Sequence, residues 1–246
     1  MRRTANPALN RSVFDRSLSD AGGEVMTLSG TVNKSFTLIL LVLAGAGVTW
    51  FMYFDGNPAT NILMIGGAIG GLVMAIVTSF NKKNSRITAP IYAVLEGLFL
   101  GGLSAFAESY FPGIVIQAVA LTIGVFLGLL LAYKSGWIKA TENFKLGVFA
   151  ATAGIALLYL ISFVMSFFGS GIGFIHSSGT FGILFSVFVV VIAALNLVLD
   201  FDFIEQGAEQ GAPKYMEWYA AFGLLVTLVW LYIEILRLLM KLASRD

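Results

Sequence analysis

Seven long apolar runs, separated by short polar segments, dominate the sequence. Each run holds about 20 mostly apolar residues, the length that a helix needs to cross a hydrocarbon core of about 30 Å. Strands of membrane barrels are about half as long and alternate in polarity, whereas these runs are apolar on every face. The pattern therefore predicts an all-α integral membrane protein built as a seven-transmembrane-helix bundle. The predicted spans are Ser35–Phe54, Asn61–Phe80, Ile87–Ala107, Ile114–Tyr133, Leu146–Phe168, Phe181–Leu199 and Tyr219–Leu239.

The predicted spans divide the chain into three parts. Residues 1–34 are polar, and we expect them to form a mobile cytoplasmic tail, because no apolar run of signal-peptide length follows the first basic residues. Residues 35–242 form the membrane domain, and residues 243–246 form a short carboxyl-terminal tail. We expect no soluble domain large enough to carry a function of its own.

The composition narrows the possible functions. Only 12% of the residues are charged, about half the share in an ordinary soluble domain. The net charge is +1 and the basic residues are dispersed, so the sequence lacks the concentrated basic face of a nucleic-acid-binding protein. The absence of cysteine excludes disulfides, thiolate metal sites and cysteine nucleophiles. Because no nucleotide-binding, metalloprotease or serine-hydrolase motif is present, we expect no enzymatic activity and no resident cofactor.

The distribution of basic residues predicts an orientation. If the amino terminus is cytoplasmic, the tail and the second, fourth and sixth loops hold 12 of the 15 lysines and arginines, and the other loops hold none. Basic residues accumulate in cytoplasmic loops, so we predict this orientation in the cytoplasmic (inner) membrane. Arg237, Lys241 and Arg245 violate the rule if the seventh helix crosses fully. The sequence leaves open whether that helix crosses or enters from the cytoplasm and returns.

Glycines spaced four residues apart recur in three of the spans. Small residues let helix backbones approach closely in lipid, so we predict that these glycines form helix-packing faces, with a pore lining as the alternative. The pairs are Gly66 with Gly70, Gly67 with Gly71, Gly97 with Gly101, and Gly124 with Gly128.

Ionisable residues inside the spans are the candidates for chemistry, because burying each one costs several kcal/mol unless it is paired, protonated or hydrated. Glu96 lies near the middle of the third span, and no residue one turn away on its own helix can neutralise it. We expect a partner from another helix, from water or from a proton. The alternative is a neutral side chain that bonds to a backbone carbonyl.

Asp200 and Asp202 close the sixth predicted span. Asn196 and Asp200 are four residues apart and share a helix face, whereas Asp202 is turned by about 200° from Asp200. We therefore expect Asp200 to face the bundle interior. Two carboxylates that share a proton in a buried site can act as a pH switch. The alternative for both aspartates is a solvated acidic helix end.

Two glutamates, one in the last span and one just before it, have simpler explanations. Glu234 lies three residues before Arg237 and seven before Lys241, so an ion pair within the helix accounts for it as well as a functional role does. Glu217 adjoins Trp218 and Tyr219, which are typical interfacial anchors. We expect Glu217 at the membrane surface.

Several of these features together resemble the Bax inhibitor family in its bacterial branch. They are the seven-span layout, Leu95-Glu96-Gly97 with a glycine four residues later, the stretch from Asn196 through Asp200 to Ile204, and the aromatic last helix that contains Leu231-Tyr232-Ile233-Glu234. The resemblance covers about residues 35–242. It implies six helices around a central seventh, and some members of the family behave as pH-sensitive calcium leak channels.

The resemblance also implies site residues. Asp200 matches the sixth-helix aspartate of the family, although the family's usual Asp-Thr-Gln is Asp200-Phe201-Asp202 here. Glu96 resembles an acidic residue that many members carry before a glycine in the third helix. The family's aspartate on the seventh helix matches Glu234 if the connection after Asp200 is longer, and falls near Leu225 in a register without gaps.

Two functional hypotheses follow. The first is a multi-pass membrane protein that resembles a pH-sensitive calcium leak channel, with Asp200 as the gate, Glu96 as a cation or proton ligand, and Glu234 and Asp202 as further proton-sensing candidates. Asp200 and Glu96 would hold transient calcium, because a hard cation prefers oxygen ligands. The second is a non-conducting regulator that binds a membrane protease or a stress-response partner through its tail and helix faces.

Overall fold

The structure is a computed structural model that describes residues 24–169, 173 and 177–245. These residues include seven helices long and apolar enough to cross a membrane, and their only β-type pairing is an isolated bridge between Val25 and Pro213. The predicted fold class is therefore confirmed. A turn of 3-10 helix at Lys82–Asn84 joins the second helix to the third. The helices are α1 (Leu28–Phe54), α2 (Ala59–Phe80), α3 (Ser85–Tyr110), α4 (Ile114–Lys134), α5 (Glu142–Ser166), α6 (Thr180–Glu209) and α7 (Met216–Ala243).

The first helix begins earlier than predicted. The hydroxyl of Thr27 accepts a hydrogen bond from the backbone N–H of Gly30 at 3.0 Å, which caps the first turn of α1. Residues 28–34, which we assigned to the polar tail, therefore form the first two turns of α1. The predicted mobility of the tail concerns residues 1–23, which lie outside the described part of the chain.

The sixth helix ends later than predicted. It continues for ten residues beyond Leu199 and stops before Gly211, which adopts a left-handed conformation (φ 65°). The predicted span ended where the apolar run ends, but a helix can continue through polar residues. Residues 200–209 contain no proline that would stop it. Asp200 and Asp202 therefore lie within α6 and do not close it.

Two helices form the interior of the bundle. About half of the most apolar stretch is buried in α3 (56%) and in α7 (50%), compared with 17–39% in the other five spans. Helix α7 packs against α1, α3, α4 and α6, and α3 lies between α1 and α2. The last helix is thus inside the bundle as expected, and α3 shares that position. Helix α5 is peripheral and packs mainly on α6.

Close helix contacts explain two of the glycine pairs. A Cβ atom added to Gly97 or Gly101 would collide with the α1 backbone at Val42 or Ala46, respectively. Glycine removes that obstacle and lets the backbones of α1 and α3 touch. The prediction of a packing face is confirmed for this pair. It is also confirmed for Gly67 and Gly71, whose added Cβ atoms would meet residues of α3.

The prediction is wrong for the pair on α4. Cβ atoms on Gly124 and Gly128 would meet no described residue within 4 Å, and the same holds for Gly66. Spacing alone does not say which face of a helix points to a neighbour and which to lipid, so the pattern over-predicts packing faces.

The two ends of the described chain lie at opposite ends of the bundle. The N–H of Met26 donates to the carbonyl of Ala212 at 2.7 Å, beside the loop between α6 and α7. At the other end, Ser244 and Ser178 form a hydroxyl hydrogen bond of 2.7 Å, just before α6 begins. Since α7 is one unbroken helix of 28 residues, it crosses the bundle fully, and the re-entrant alternative is wrong.

The basic loops share one end of the bundle. The hydroxyl of Ser85, at the start of α3, donates to the carbonyl of Tyr215 at 3.1 Å. Lys145 of α5 pairs with Asp202 of α6 at 2.9 Å. The second, fourth and sixth loops therefore lie with the described amino-terminal residues, as the charge pattern requires. We call this the basic end. Its cytoplasmic location stays a prediction.

Candidate ion site

The side chain of Asp200 lies between α6 and α7. Its Oδ2 atom is buried and accepts no hydrogen bond within the described part of the chain. On α7 it faces Gly223, where an added Cβ atom would be 4.0 Å from Oδ1, and the hydroxyl of Thr227 lies beside it. Asp200 borders a cavity of about 360 Å³, whose wall includes Ala75 and Ser79 of α2.

Asp202 has a different environment. Its carboxylate pairs with Lys145 at 2.9 Å and accepts a hydrogen bond from the amide of Gln206 at 2.6 Å. It lines a second, larger cavity, which Asp200 does not border. The two aspartates thus face different cavities from one helix, in keeping with their two-residue spacing. Of the two aspartates, only Asp200 has a buried oxygen that accepts no hydrogen bond from a described residue; the same is true of the Oε2 atom of Glu217.

Asn196 does not assist Asp200. Its amide donates to the hydroxyl of Thr152 on α5 and to the carbonyl of Ile192, both at 2.8 Å. The spacing of four residues suggested a shared face, but the side chain turns toward α5. Its described hydrogen bonds hold the peripheral helix against α6.

Glu234 is not the partner of Asp200. It is almost fully buried and accepts hydrogen bonds from the hydroxyl of Tyr159 on α5 at 3.0 Å and from the Nη1 atom of Arg237 at 3.2 Å. It lies seven residues beyond Thr227, about 10 Å farther along the helix axis. The proposed pairing is therefore wrong. The register without gaps stays a prediction: it puts the apolar Leu225, which packs with α1 and α3, where the family has its aspartate.

Arg237 offsets the charge of Glu234 within α7, and Tyr159 of α5 contacts both side chains. The Nη1 atom of Arg237 also donates to the Tyr159 hydroxyl at 2.8 Å, and its guanidinium lies over the Tyr159 ring, 5.3 Å from the centroid. The ion pair expected three residues apart is present at 3.2 Å, and Tyr159 joins it to α5. Sequence spacing could predict the pair but not the tyrosine.

Glu96 is buried between α2 and α3. Its Oε2 atom lies 2.8 Å from the position that a Cβ atom on Gly71 would occupy, so that glycine makes room for the carboxylate. The described residues contain no group of three or more histidine, aspartate or glutamate side chains able to hold a metal ion. Glu96 and Asp200 are thus not parts of one such cluster, and calcium ligation stays a prediction.

A buried carboxylate that the sequence did not reveal is Glu217. It is completely buried, and its Oε1 atom accepts hydrogen bonds from the N–H and the hydroxyl of Thr27 at 3.1 and 2.9 Å. Lys214 and Lys34 lie at 3.4 and 3.9 Å. Glu217 lies in the first turn of α7, and its position at the membrane surface stays a prediction, but its side chain is buried and not exposed. The three-residue spacing between Lys214 and Glu217 could have predicted their ion pair. No sequence pattern near Glu217 predicts its contact with Thr27.

The far end of α7 holds a buried lysine. The Nζ atom of Lys241 donates to the carbonyl of Gly182 at 3.0 Å and to the hydroxyl of Ser186 at 2.8 Å, both on α6. These contacts show how the seventh helix accommodates one of the three basic residues that the charge rule disfavours there.

A comparison with protein families complements this geometry. The family model described as "Bax inhibitor 1 like" matches residues 6–244, which extends the resemblance to nearly the whole chain. Comparisons with curated proteins and with solved structures gave no match.

Proposed function

The chain belongs to the Bax inhibitor 1 like family of multi-pass membrane proteins, and on that basis we propose that it is a pH-sensitive leak pathway for calcium or a similar cation, with Asp200 as the gate. The observation that carries the proposal is the buried Oδ2 atom of Asp200, which accepts no hydrogen bond among the described residues. Membership of the bacterial branch stays a prediction.

The physical reason is the cost of burying charge. An ionised carboxylate inside a membrane domain needs a compensating proton, cation or water. A proton removes the charge, whereas a hard cation is held by the carboxylate oxygens. Protons and cations would thus compete for Asp200, and its cavity of about 360 Å³ gives the cation room.

The proposed gate contains a single carboxylate and not a pair of carboxylates. The residues of α7 next to Asp200 are Gly223 and Thr227, so no second carboxylate on α7 shares its proton. We therefore propose that one carboxylate titrates, with Glu96 as a separate cation or proton ligand between α2 and α3. Asp202 and Glu234 are satisfied by Lys145 and Arg237, and we leave them out of the gate.

The test is calcium flux into liposomes loaded with a calcium dye, measured from pH 6 to pH 8. We expect wild-type protein to show flux that changes with pH, and Asp200→Asn to lose that pH dependence. Asp202→Asn is the matched control, because it makes the same chemical change two residues away. It should keep the wild-type pH profile. If Asp200→Asn also keeps that profile, Asp200 is not the gate.

A wild-type protein without flux above empty liposomes at any pH would overturn the channel proposal. The non-conducting regulator would then be the better hypothesis. Its test is capture of membrane partners by full-length protein and by a variant lacking residues 2–23, a deletion that leaves Thr27 and its contacts in place. Equal capture by both proteins would exclude the tail as the binding surface.

A further inference from the structure

A large cavity opens beside α1, away from the Asp200 site. Its volume is about 920 Å³, near the upper end of the range of about 300–1,000 Å³ that ligand pockets occupy. It lies between α1, α4, α6 and α7, under the segment that joins α4 to α5. Most of its wall is apolar, including Ile39, Phe126, Leu130, Leu224 and Leu228.

The cavity borders the membrane. Val32 and Phe36 line it from α1, and each is more than 60% exposed on a helix apolar enough to span the bilayer. The cavity is open on this side and is not an enclosed void, and its apolar wall offers water few hydrogen-bond partners. An acyl chain from the surrounding bilayer has both the chemistry and the access to fill it.

Two lysines at the mouth of the cavity have no ion-pair partner in the described part of the chain. Lys134 and Lys139 line it, and neither forms an ion pair with a described residue. Two carboxylates also line the cavity; one has a lysine as its partner and the other has a tyrosine hydroxyl, which carries no charge. Asp202 pairs with Lys145 at 2.9 Å, and Glu205 accepts a hydrogen bond from the hydroxyl of Tyr133.

A tryptophan beside the mouth indicates that the mouth lies at the level of lipid headgroups. Trp137, in the segment between Lys134 and Lys139, is 87% exposed, and tryptophan concentrates where the bilayer meets water. The geometry points to a binding site for an anionic phospholipid, with an acyl chain in the cavity and the phosphate at Lys134 and Lys139. This site is separate from the proposed ion pathway.

The test is native mass spectrometry of the full chain in detergent, with phosphatidylglycerol and phosphatidylcholine supplied at equal concentration. We expect wild-type protein to retain phosphatidylglycerol preferentially. A basic residue near a membrane surface contributes about fivefold in affinity, so Lys134→Gln/Lys139→Gln should weaken phosphatidylglycerol binding about thirtyfold and leave phosphatidylcholine binding unchanged.

The matched control is Lys83→Gln/Arg86→Gln. It removes two exposed basic residues that are at the same end of the bundle but do not line the cavity, and it should bind as wild type does. Equal retention of the two lipids by wild-type protein would overturn the proposal. So would an equal loss of phosphatidylglycerol binding in both double variants, because that result indicates a diffuse charge effect.

A second arm tests the acyl chain. Leu228→Trp, or Ile39→Trp if the first variant does not fold, fills the cavity and should weaken binding of both lipids. Glycerol 3-phosphate carries the headgroup charge without a chain and should not displace bound phosphatidylglycerol. If it does, and the tryptophan variant binds lipid as tightly as wild type, the site recognises free phosphate and the lipid proposal fails.

Discussion

The hydroxyl of Thr27 donates a hydrogen bond of 2.9 Å to the Oε1 atom of Glu217, a residue 190 positions later in the chain. The bond joins the cap of α1 to the first turn of α7. Gly30 makes the approach possible, since a Cβ atom at that position would collide with the Glu217 carboxylate. The entry of the first helix is thereby fixed to the central helix at the basic end of the bundle.

This contact predicts a loss of stability in Glu217→Ala. The variant loses two hydrogen bonds to a charged acceptor, and such bonds contribute about 1.5–3 kcal/mol each. Lys34 and Lys214 are partly exposed and can regain water, so we expect the free energy of unfolding in detergent to fall by about 2–4 kcal/mol. Glu209→Ala, at an exposed position of α6, is the control. Equal unfolding free energies for the two variants would contradict a structural role for Glu217.

The Glu234 network predicts a non-additive pair of variants. Arg237→Met leaves a nearly fully buried carboxylate whose remaining hydrogen-bond donor among the described residues is Tyr159, and breaking a buried ion pair from one side costs about 3–5 kcal/mol. Glu234→Gln should cost less, because the Arg237 side chain is 31% exposed and can reach solvent. The double variant should therefore be more stable than Arg237→Met alone. Denaturation of the four proteins in a double-mutant cycle measures this, and additive losses would contradict it.

The seven spans could be predicted because the hydrocarbon core offers no hydrogen-bond partners to the backbone. Every backbone group in the hydrocarbon must be bonded within its own segment, so length and apolarity alone identify the helices. Helix ends are a different matter. Thr27 starts α1 seven residues before the predicted span, and the end of α6 lies well beyond its apolar part, because water and loop contacts determine those boundaries.

The candidate site was only partly predictable. Asp200 was identified because a carboxylate in an apolar run is conspicuous. The packing register of α6 against α7 decides that Asp200 has no hydrogen-bond donor for its Oδ2 atom among the described residues and that Glu234 lies far from it. The spacing of residues along one helix does not determine that register. Glu217 was missed for a related reason. Its aromatic neighbours suggested an interface, whereas its burial results from the docking of Thr27 and Gly30.

The glycine faces predict opposite outcomes for one chemical change. Gly101→Ala places a Cβ atom against the α1 backbone, and overpacking of this kind costs about 1–3 kcal/mol. Gly128→Ala meets open space and gains helix propensity, so it should be neutral or slightly stabilising. Thermal unfolding in detergent compares the two. A destabilised Gly128→Ala protein would indicate that α4 packs against a partner through that face.

The full crossing of α7 can be tested with single cysteines, because the chain contains none. Lys83→Cys and Trp137→Cys lie at the basic end, and Ser177→Cys and Arg245→Cys at the other; all four positions are exposed. A membrane-impermeant maleimide applied to intact spheroplasts should label one pair and spare the other. With a cytoplasmic amino terminus, the labelled pair is Ser177→Cys and Arg245→Cys.

Detergent-permeabilised spheroplasts provide the control for that experiment, since all four cysteines should then react. Labelling of Arg245→Cys together with Lys83→Cys, but not with Ser177→Cys, would mean that α7 returns to the side from which it entered. That outcome would also break the contacts of Lys241 with Gly182 and Ser186. Labelling of the basic end in intact spheroplasts would reverse the predicted orientation and leave the fold unchanged, because the helix contacts do not depend on which side faces the cytoplasm.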